Sequence, residues 1–192
     1  VTNHKFAHIF EEWASKQTYT KPIRIIDDGT STNDTRLGAV CDLLLAIKEL
    51  MQSGNQLPQD YLVVAADNIL HFSFKEFVDF AYDKNTSCIM CHEQPSIEKL
   101  QRTGVVVLDE NNKVLNMEEK PQEPKSNWAV PPFYIYMAKD LPLIMNSIEN
   151  GCGKDAPGNL AHYMVEHTEM HAWKMTAGRF DIGSLDTYEE AK

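Results

Sequence analysis

The run Tyr61-Leu62-Val63-Val64-Ala65-Ala66 carries apolar side chains throughout and then stops at Asp67-Asn68. Such a run reads as a strand buried on both faces, which requires helices on both sides of a sheet and is the habit of parallel α/β sheets. Open sheets of that class bind their ligands beyond the carboxyl ends of their strands. Asp67 stands at that place and is therefore a candidate metal or substrate ligand. A second reading is equally open here: Asp67-Asn68 caps the helix that follows.

The rest of the chain alternates the same way. Helical spacing runs over His4–Lys16, with Phe6, Ile9, Phe10 and Trp13 on one face, and over 36–51, with Leu37, Val40, Leu44, Ile47 and Leu50. Ser53-Gly54-Asn55 is the stop signal of the second helix. Ser73, with Glu76 three residues on, predicts a capping box for a helix over Phe74–Tyr82. Helices are also predicted over Leu141–Glu149, Gly158–His167 and Leu185–Ala191. Strands are predicted over Pro22–Ile26, Thr86–His92, Phe133–Met137 and Ala172–Met175. Gly104–Leu108 and Lys113–Met117 flank Asp109-Glu110-Asn111-Asn112, a hairpin signal. The expected fold is α/β: a Rossmann-like three-layer sandwich with a mixed, mostly parallel central sheet and a β-hairpin elaboration.

At 192 residues the chain suits one domain with a real core. Its formal charge of −10 argues against a nucleic-acid surface, which is usually basic. It does not argue against a phosphorylated small molecule, because a divalent metal neutralises phosphate and carboxylate together. No run reaches the roughly 18 apolar residues of a membrane span, and no signal peptide is visible. Cys88 and Cys91 form a CxxC. In a strand, however, residues three apart point to opposite faces, so zinc or redox chemistry is not expected. Reduced cysteines fit a cytoplasmic protein.

Four clusters can carry chemistry. Asp67-Asn68 is the first. Glu118-Glu119-Lys120-Pro121 follows a hairpin strand and combines an acceptor for sugar hydroxyls with a compact cation for phosphate; a solvated charged turn is the plainer reading. Phe180-Asp181-Ile182-Gly183-Ser184 holds an acid between apolar neighbours, which also suits an acid that opens the last helix. In Arg36-Leu37-Gly38-Ala39-Val40 a glycine at a helix start lets a ligand approach the backbone. His162 reads as structural.

The order of these clusters is more specific than any one of them. DDGTSTNDTRLGAV, YLVVAADNIL, GVVVLDENNKVLNMEEKP, PPFYIY, GKDAPGN and RFDIGSLDTYEEA follow one another in a succession that resembles the sugar nucleotidyltransferases, the nucleotide-sugar pyrophosphorylases. The resemblance spans nearly the whole chain. It implies one nucleotidyltransferase domain over 1–192, acting on a nucleoside triphosphate and a sugar 1-phosphate to give a nucleotide-diphosphate sugar and pyrophosphate. By the same resemblance Asp67 and Asp181 hold catalytic Mg²⁺, and Asn68 beside Asp67 binds substrate. Glu119 lies near the sugar, Lys120 on its phosphate, Gly104 against the sugar through its backbone, and Gly38 close to the nucleotide base. Transfer then needs no protein nucleophile: positioning and charge neutralisation suffice.

The sequence departs from the family pattern in two places. Ala66 stands where glycine is frequent. Nothing matches the family's opening glycine-rich signature, roughly GxGTRLxPLTxxxPKxL. Val1-Thr2-Asn3 resembles the end of the family's second strand, so the domain reads as amino-terminally incomplete, without the first strand and phosphate loop. The expectation is that this chain alone is weak or inactive. Two rival readings remain: a metal-dependent glycosyltransferase that uses nucleotide sugars, disfavoured by Ile69 where an Asp-x-Asp pair needs its second acid, and a non-catalytic sugar-phosphate-binding or regulatory module. Base, sugar and oligomeric state stay open, a homo-oligomer among the options.

Overall fold

The computed structural model describes residues 1–52 and 59–192. The stop signal at Ser53-Gly54-Asn55 lies outside the described residues. The helices are α1 (His4–Ser15), α2 (Ala39–Gln52), α3 (Lys75–Lys84), α4 (Ile97–Leu100), α5 (Leu141–Met145), α6 (Pro157–His167) and α7 (Leu185–Glu190). The strands are β1 (Tyr61–Val64), β2 (Asn68–Leu70), β3 (Ser87–Glu93), β4 (Gly104–Leu108), β5 (Val114–Glu119), β6 (Trp128–Val130), β7 (Phe133–Tyr136), β8 (Met170–Lys174) and β9 (Arg179–Asp181).

β3 is the buried centre. Its side chains alternate between two cores, as the period of a strand requires. Ile89 and Cys91 join Val40, Leu44 and Ile47 of α2 and Leu160, Ala161 and Met164 of α6. Cys88 and Met90 join Phe77 and Ala81 of α3, with Phe133 and Ile135. The two cysteines of the CxxC therefore point apart, as expected. Burial pushes their thiols up to about 11 for Cys88 and about 12 for Cys91, so neither is a reactive thiolate.

The expected layering of helices on both faces is present, but the expected strand direction is not. The main sheet runs β1-β7-β3-β6-β4-β5, with β8 beside β3. Among the described strands only the β3–β8 pairing is parallel; β1–β7, β3–β7, β3–β6, β4–β6 and β4–β5 are all antiparallel. The sheet is mostly antiparallel, and the mostly parallel Rossmann-like sheet is thus corrected. An apolar run reports that both faces are covered; strand direction is set by the connections, which the run does not encode.

β1 is also less buried than its composition suggests. Leu62 and Val64 are 43% and 40% exposed, because no described strand lies along its outer edge. That edge and α2 wall a groove of about 380 Å³ that reaches Pro132 and Pro157. Pro22–Ile26 forms no strand; Thr2 makes one parallel bridge to Asp27. The helix expected near the amino end forms, capped by Asn3, yet Phe6, Ile9, Phe10 and Trp13 stay exposed and only Ala7 is buried. The capping box at Ser73 does not form: α3 starts at Lys75, and the Ser73 hydroxyl instead accepts from the Lys75 amide at 3.1 Å. No helix among the described residues is long and apolar enough to cross a membrane.

Candidate active site

Asp67 does not cap a helix. Asn68 begins β2, and β2 pairs antiparallel with β9 in a two-stranded ribbon outside the main sheet. The register sets Asn68 opposite Asp181, and the Ile182 amide donates to the Asp67 carbonyl at 2.8 Å. The backbones of two acids 114 positions apart (181 less 67) are thereby held on neighbouring stretches of one ribbon. Asp181 does not open the last helix either, since Ser184 is the cap of α7.

Side chains link the two acids. Asn68 Nδ2 donates to Asp67 Oδ1 at 2.8 Å. Arg179 Nη1 donates to Asn68 Oδ1 and also to Asp181 Oδ2 at 3.0 Å. Among the described residues Asp67 Oδ2 and Asp181 Oδ1 carry no hydrogen bond, and no group of three or more His, Cys, Asp or Glu gathers to hold a metal. Two carboxylates suit Mg²⁺ nonetheless, which takes hard oxygen ligands, keeps several waters and shares its remaining positions with substrate phosphates.

The hairpin end is built differently. Gly104 pairs with Glu119 on one side and with Val130 on the other. Glu119 turns its carboxylate toward α6, and a Cβ added to Gly158 would sit 1.9 Å from Glu119 Oε2. A Cβ on Gly104 would meet the same oxygen at 3.2 Å. Two glycines thus make the slot that Glu119 occupies. Burial raises its pKa, while the Lys120 charge opposes the shift, so Glu119 is not the acid of a solvated turn. Lys120 itself is exposed and holds a left-handed backbone, φ 51°, with its amide on the Thr103 carbonyl at 3.0 Å. A bulky residue held there is strained and aims its side chain where the turn dictates.

Gly38 (φ 93°) meets the protein's own backbone: an added Cβ would lie 2.5 Å from the Lys154 carbonyl oxygen. The Ala39 and Val40 amides at the start of α2 donate to the Asp155 and Lys154 carbonyls at 3.1 Å each. Arg36 pairs with Asp155 at 2.7 Å. The glycine is needed for this approach, and the first amides of α2 are already engaged.

The ribbon and the hairpin end both lie next to an interruption in the sheet. β6 and β7 are one stretch of chain broken by Pro131-Pro132, which have no amide to continue a ladder. β3 lies along one edge of both. Along the other edge lie β4 beside β6 and β1 beside β7. β1 runs toward the break, with the Ala65 amide on the Pro132 carbonyl at 3.2 Å, and β4 starts from it at Gly104. Asp67 and the Gly104–Glu119–Lys120 corner therefore flank the same split. Sequence reasoning missed Gly158 and Arg179. The first was visible only as part of Asp155-Ala156-Pro157-Gly158-Asn159, and the second needed the β2–β9 register.

The chain matches the family described as "Nucleotidyl transferase" over residues 1–192. It belongs to the nucleotidyl transferase family. It is 29% identical over 137 residues to a glucose-1-phosphate adenylyltransferase of Fervidobacterium nodosum, covering 69% of this chain and 32% of that protein. It is 27% identical over 150 residues to the Mycoplasma mobile protein of the same name, covering 76% and 39%. The chain thus spans about a third of the length of these curated relatives. Its fold resembles an apo UDP-glucose pyrophosphorylase with TM-score 0.69 at 20% identity, covering 88% of this chain and 62% of that one. It also resembles a Bacillus anthracis protein described as a putative glucose-1-phosphate thymidylyltransferase, with TM-score 0.60 at 21% identity, covering 84% and 62%.

Proposed function

We propose that this nucleotidyl transferase chain carries the metal-binding and sugar-phosphate-binding parts of a sugar-1-phosphate nucleotidyltransferase acting in the cytoplasm. The reaction joins a nucleoside triphosphate and a sugar 1-phosphate into a nucleotide-diphosphate sugar and releases pyrophosphate. The observation that supports this reading most is the β2–β9 register, which sets Asn68, the neighbour of Asp67, opposite Asp181, just beyond the split in the sheet that Gly104 and Glu119 also border.

Asp67 and Asp181 would hold Mg²⁺, with Asn68 orienting the Asp67 carboxylate. The bound metal would neutralise the phosphate oxygens that must meet during transfer. Lys120 binds the sugar phosphate as a point charge. Glu119, half-buried in its glycine slot, faces the sugar hydroxyls, and Gly104 lets the sugar approach the strand. The nucleotide base would lie near the start of α2, where Gly38 serves the packing of that helix on the Lys154–Asp155 backbone. The protein thus supplies position and charge and no nucleophile. The free, mostly buried cysteines fit a reducing compartment.

Calorimetry with Mn²⁺ and with glucose 1-phosphate tests the reading on this chain. Asp67→Asn and Asp181→Asn should each weaken Mn²⁺ binding by at least the roughly tenfold seen when even an outer partner of a metal ligand is removed. Lys120→Ala should weaken sugar-phosphate binding about tenfold, the cost of one hydrogen bond to a charged group, and leave Mn²⁺ binding unchanged. Failure to bind any of a panel of sugar 1-phosphates, or variants that bind as the parent does, would remove the proposal. Any pyrophosphate release observed must vanish in Asp67→Asn.

A further inference from the structure

We infer that Arg179 is a built-in counter-ion which is paired with Asp181, tied to Asp67 through Asn68, and competes with a divalent metal for the Asp181 carboxylate. This rests on the reading of Asp67 and Asp181 as metal ligands, and it adds a residue whose effect on the metal is opposite to theirs.

One guanidinium nitrogen, Nη1, serves both arms of the ribbon: it donates to Asn68 Oδ1 and to Asp181 Oδ2. Asn68 in turn holds Asp67 Oδ1. The path Asp67–Asn68–Arg179–Asp181 is thus closed by a single positive charge. The Arg179 side chain is only 17% exposed against 55% for Asp181, so the cation is largely withdrawn from solvent while its acid stays open to it. The backbones cannot separate to relieve the pairing, because the Ile182–Asp67 hydrogen bond and the strand register fix them. Asp181 is thus paired with one cation, and Asp67 is tied to the same cation through Asn68.

A metal can enter through the free Asp181 Oδ1, but Arg179 on Oδ2 then holds a like charge beside it, and a metal that takes both oxygens must displace the guanidinium. The cavity beside the ribbon, about 560 Å³, offers the guanidinium somewhere to go. Its wall includes Arg179, Asp181, His92 and Glu93. The His92 ring has a buried Nδ1 without a partner among the described residues, and burial together with the Arg179 charge holds its pKa down. A neutral His92 does not repel an incoming guanidinium, and Glu93 offers it a replacement carboxylate. Asp181 therefore exchanges one cation for another without being left uncompensated.

The sign of the effect separates this role from a structural one. A residue that merely holds Asp181 in place weakens metal binding when it is removed. A competing cation strengthens metal binding when it is removed. Free Mn²⁺ counted by electron paramagnetic resonance gives the affinity of the chain directly, without turnover. Arg179→Gln, which keeps a donor for Asn68 but no charge, should bind Mn²⁺ about fivefold more tightly than the parent, the worth of one partly exposed ion pair. Arg179→Lys should bind as the parent does. In parallel, Mg²⁺ should raise the melting temperature of Arg179→Gln more than that of the parent, since ligand stabilisation grows with affinity. If Arg179→Gln is too unstable to titrate, Arg179→Met and the intact Glu93→Gln variant serve; removing the replacement carboxylate should weaken Mn²⁺ binding. Equal or weaker binding in the uncharged Arg179 variants overturns the inference and leaves the metal site standing. No Mn²⁺ binding in parent or variants overturns both.

Discussion

The ribbon of β2 and β9 and the hairpin corner of β4 and β5 flank one split in the sheet, yet they are held by different forces. The ribbon is two strands of three residues outside the main sheet, and Asp67 and Asp181 are both exposed. Its geometry comes from backbone register and from hydrogen bonds of Asn68 and Arg179. The hairpin corner is packed: Glu119 is wedged between Gly104 and Gly158, next to the large core. Interiors near close packing resist an added methyl, whereas exposed polar groups tolerate a change of charge. One side of the site is therefore specified by volume and the other by charge.

The largest test of that contrast is a methyl group. Gly158→Ala places a Cβ 1.9 Å from Glu119 Oε2, so Glu119 must leave its slot or α6 must shift. The expected cost is about 1–3 kcal/mol in urea unfolding, with weakened sugar-phosphate binding. Asp181→Asn, on the ribbon, should stay within about 0.5 kcal/mol of the parent. Equal losses in the two variants would erase the distinction between the regions.

A smaller effect sharpens it from the corner itself. Lys120 holds φ 51° although it is neither glycine nor asparagine. Lys120→Gly should relieve about 1 kcal/mol of backbone strain and at the same time lose the phosphate contact. Stability and binding moving in opposite directions would mark strain kept for function; a loss of both would show that the lysine side chain supports the turn.

The two regions also differed in how far the sequence revealed them. Glu119-Lys120-Pro121 and Gly104 lie at the ends of a hairpin whose turn and alternation are local, so their pairing was legible. The helices on both faces followed from Val40, Leu44 and Ile47 at helical spacing and from the apolar β3. Strand direction was not legible, because Tyr61–Ala66 encodes burial and not the neighbour it will pair with, and even its burial depends on an outer edge that no described strand covers. The amphipathic face of α1 failed for a related reason: period reports a stripe, and Phe6, Ile9, Phe10 and Trp13 show one without a core behind it. Asp67 and Asp181 were singled out through the resemblance, but the ribbon that joins their backbones, the pairing of Arg179 with Asp181 and the Gly158 slot are long-range facts fixed by register and packing.

The smallest expected effect concerns pH. Burial raises the Glu119 carboxyl above its ordinary value of 4.5. Folded protein then binds this proton more tightly than unfolded protein, so between 4.5 and the higher folded value the native state carries more of it. Stability accordingly falls as pH rises through that window and stays lower above it. Glu119→Gln has no proton to lose. It should match the parent below the window, where Glu119 is neutral, and exceed it near neutral pH. Its pH slope should shrink but not vanish, because burial also raises Asp42, with the Asp28 charge adding to it, and Asp42 remains. Urea unfolding across the acid range reads both slopes. A variant as steep as the parent would mean that Glu119 leaves its slot in solution, and the corner would then be held by charge, as the ribbon is, and not by volume.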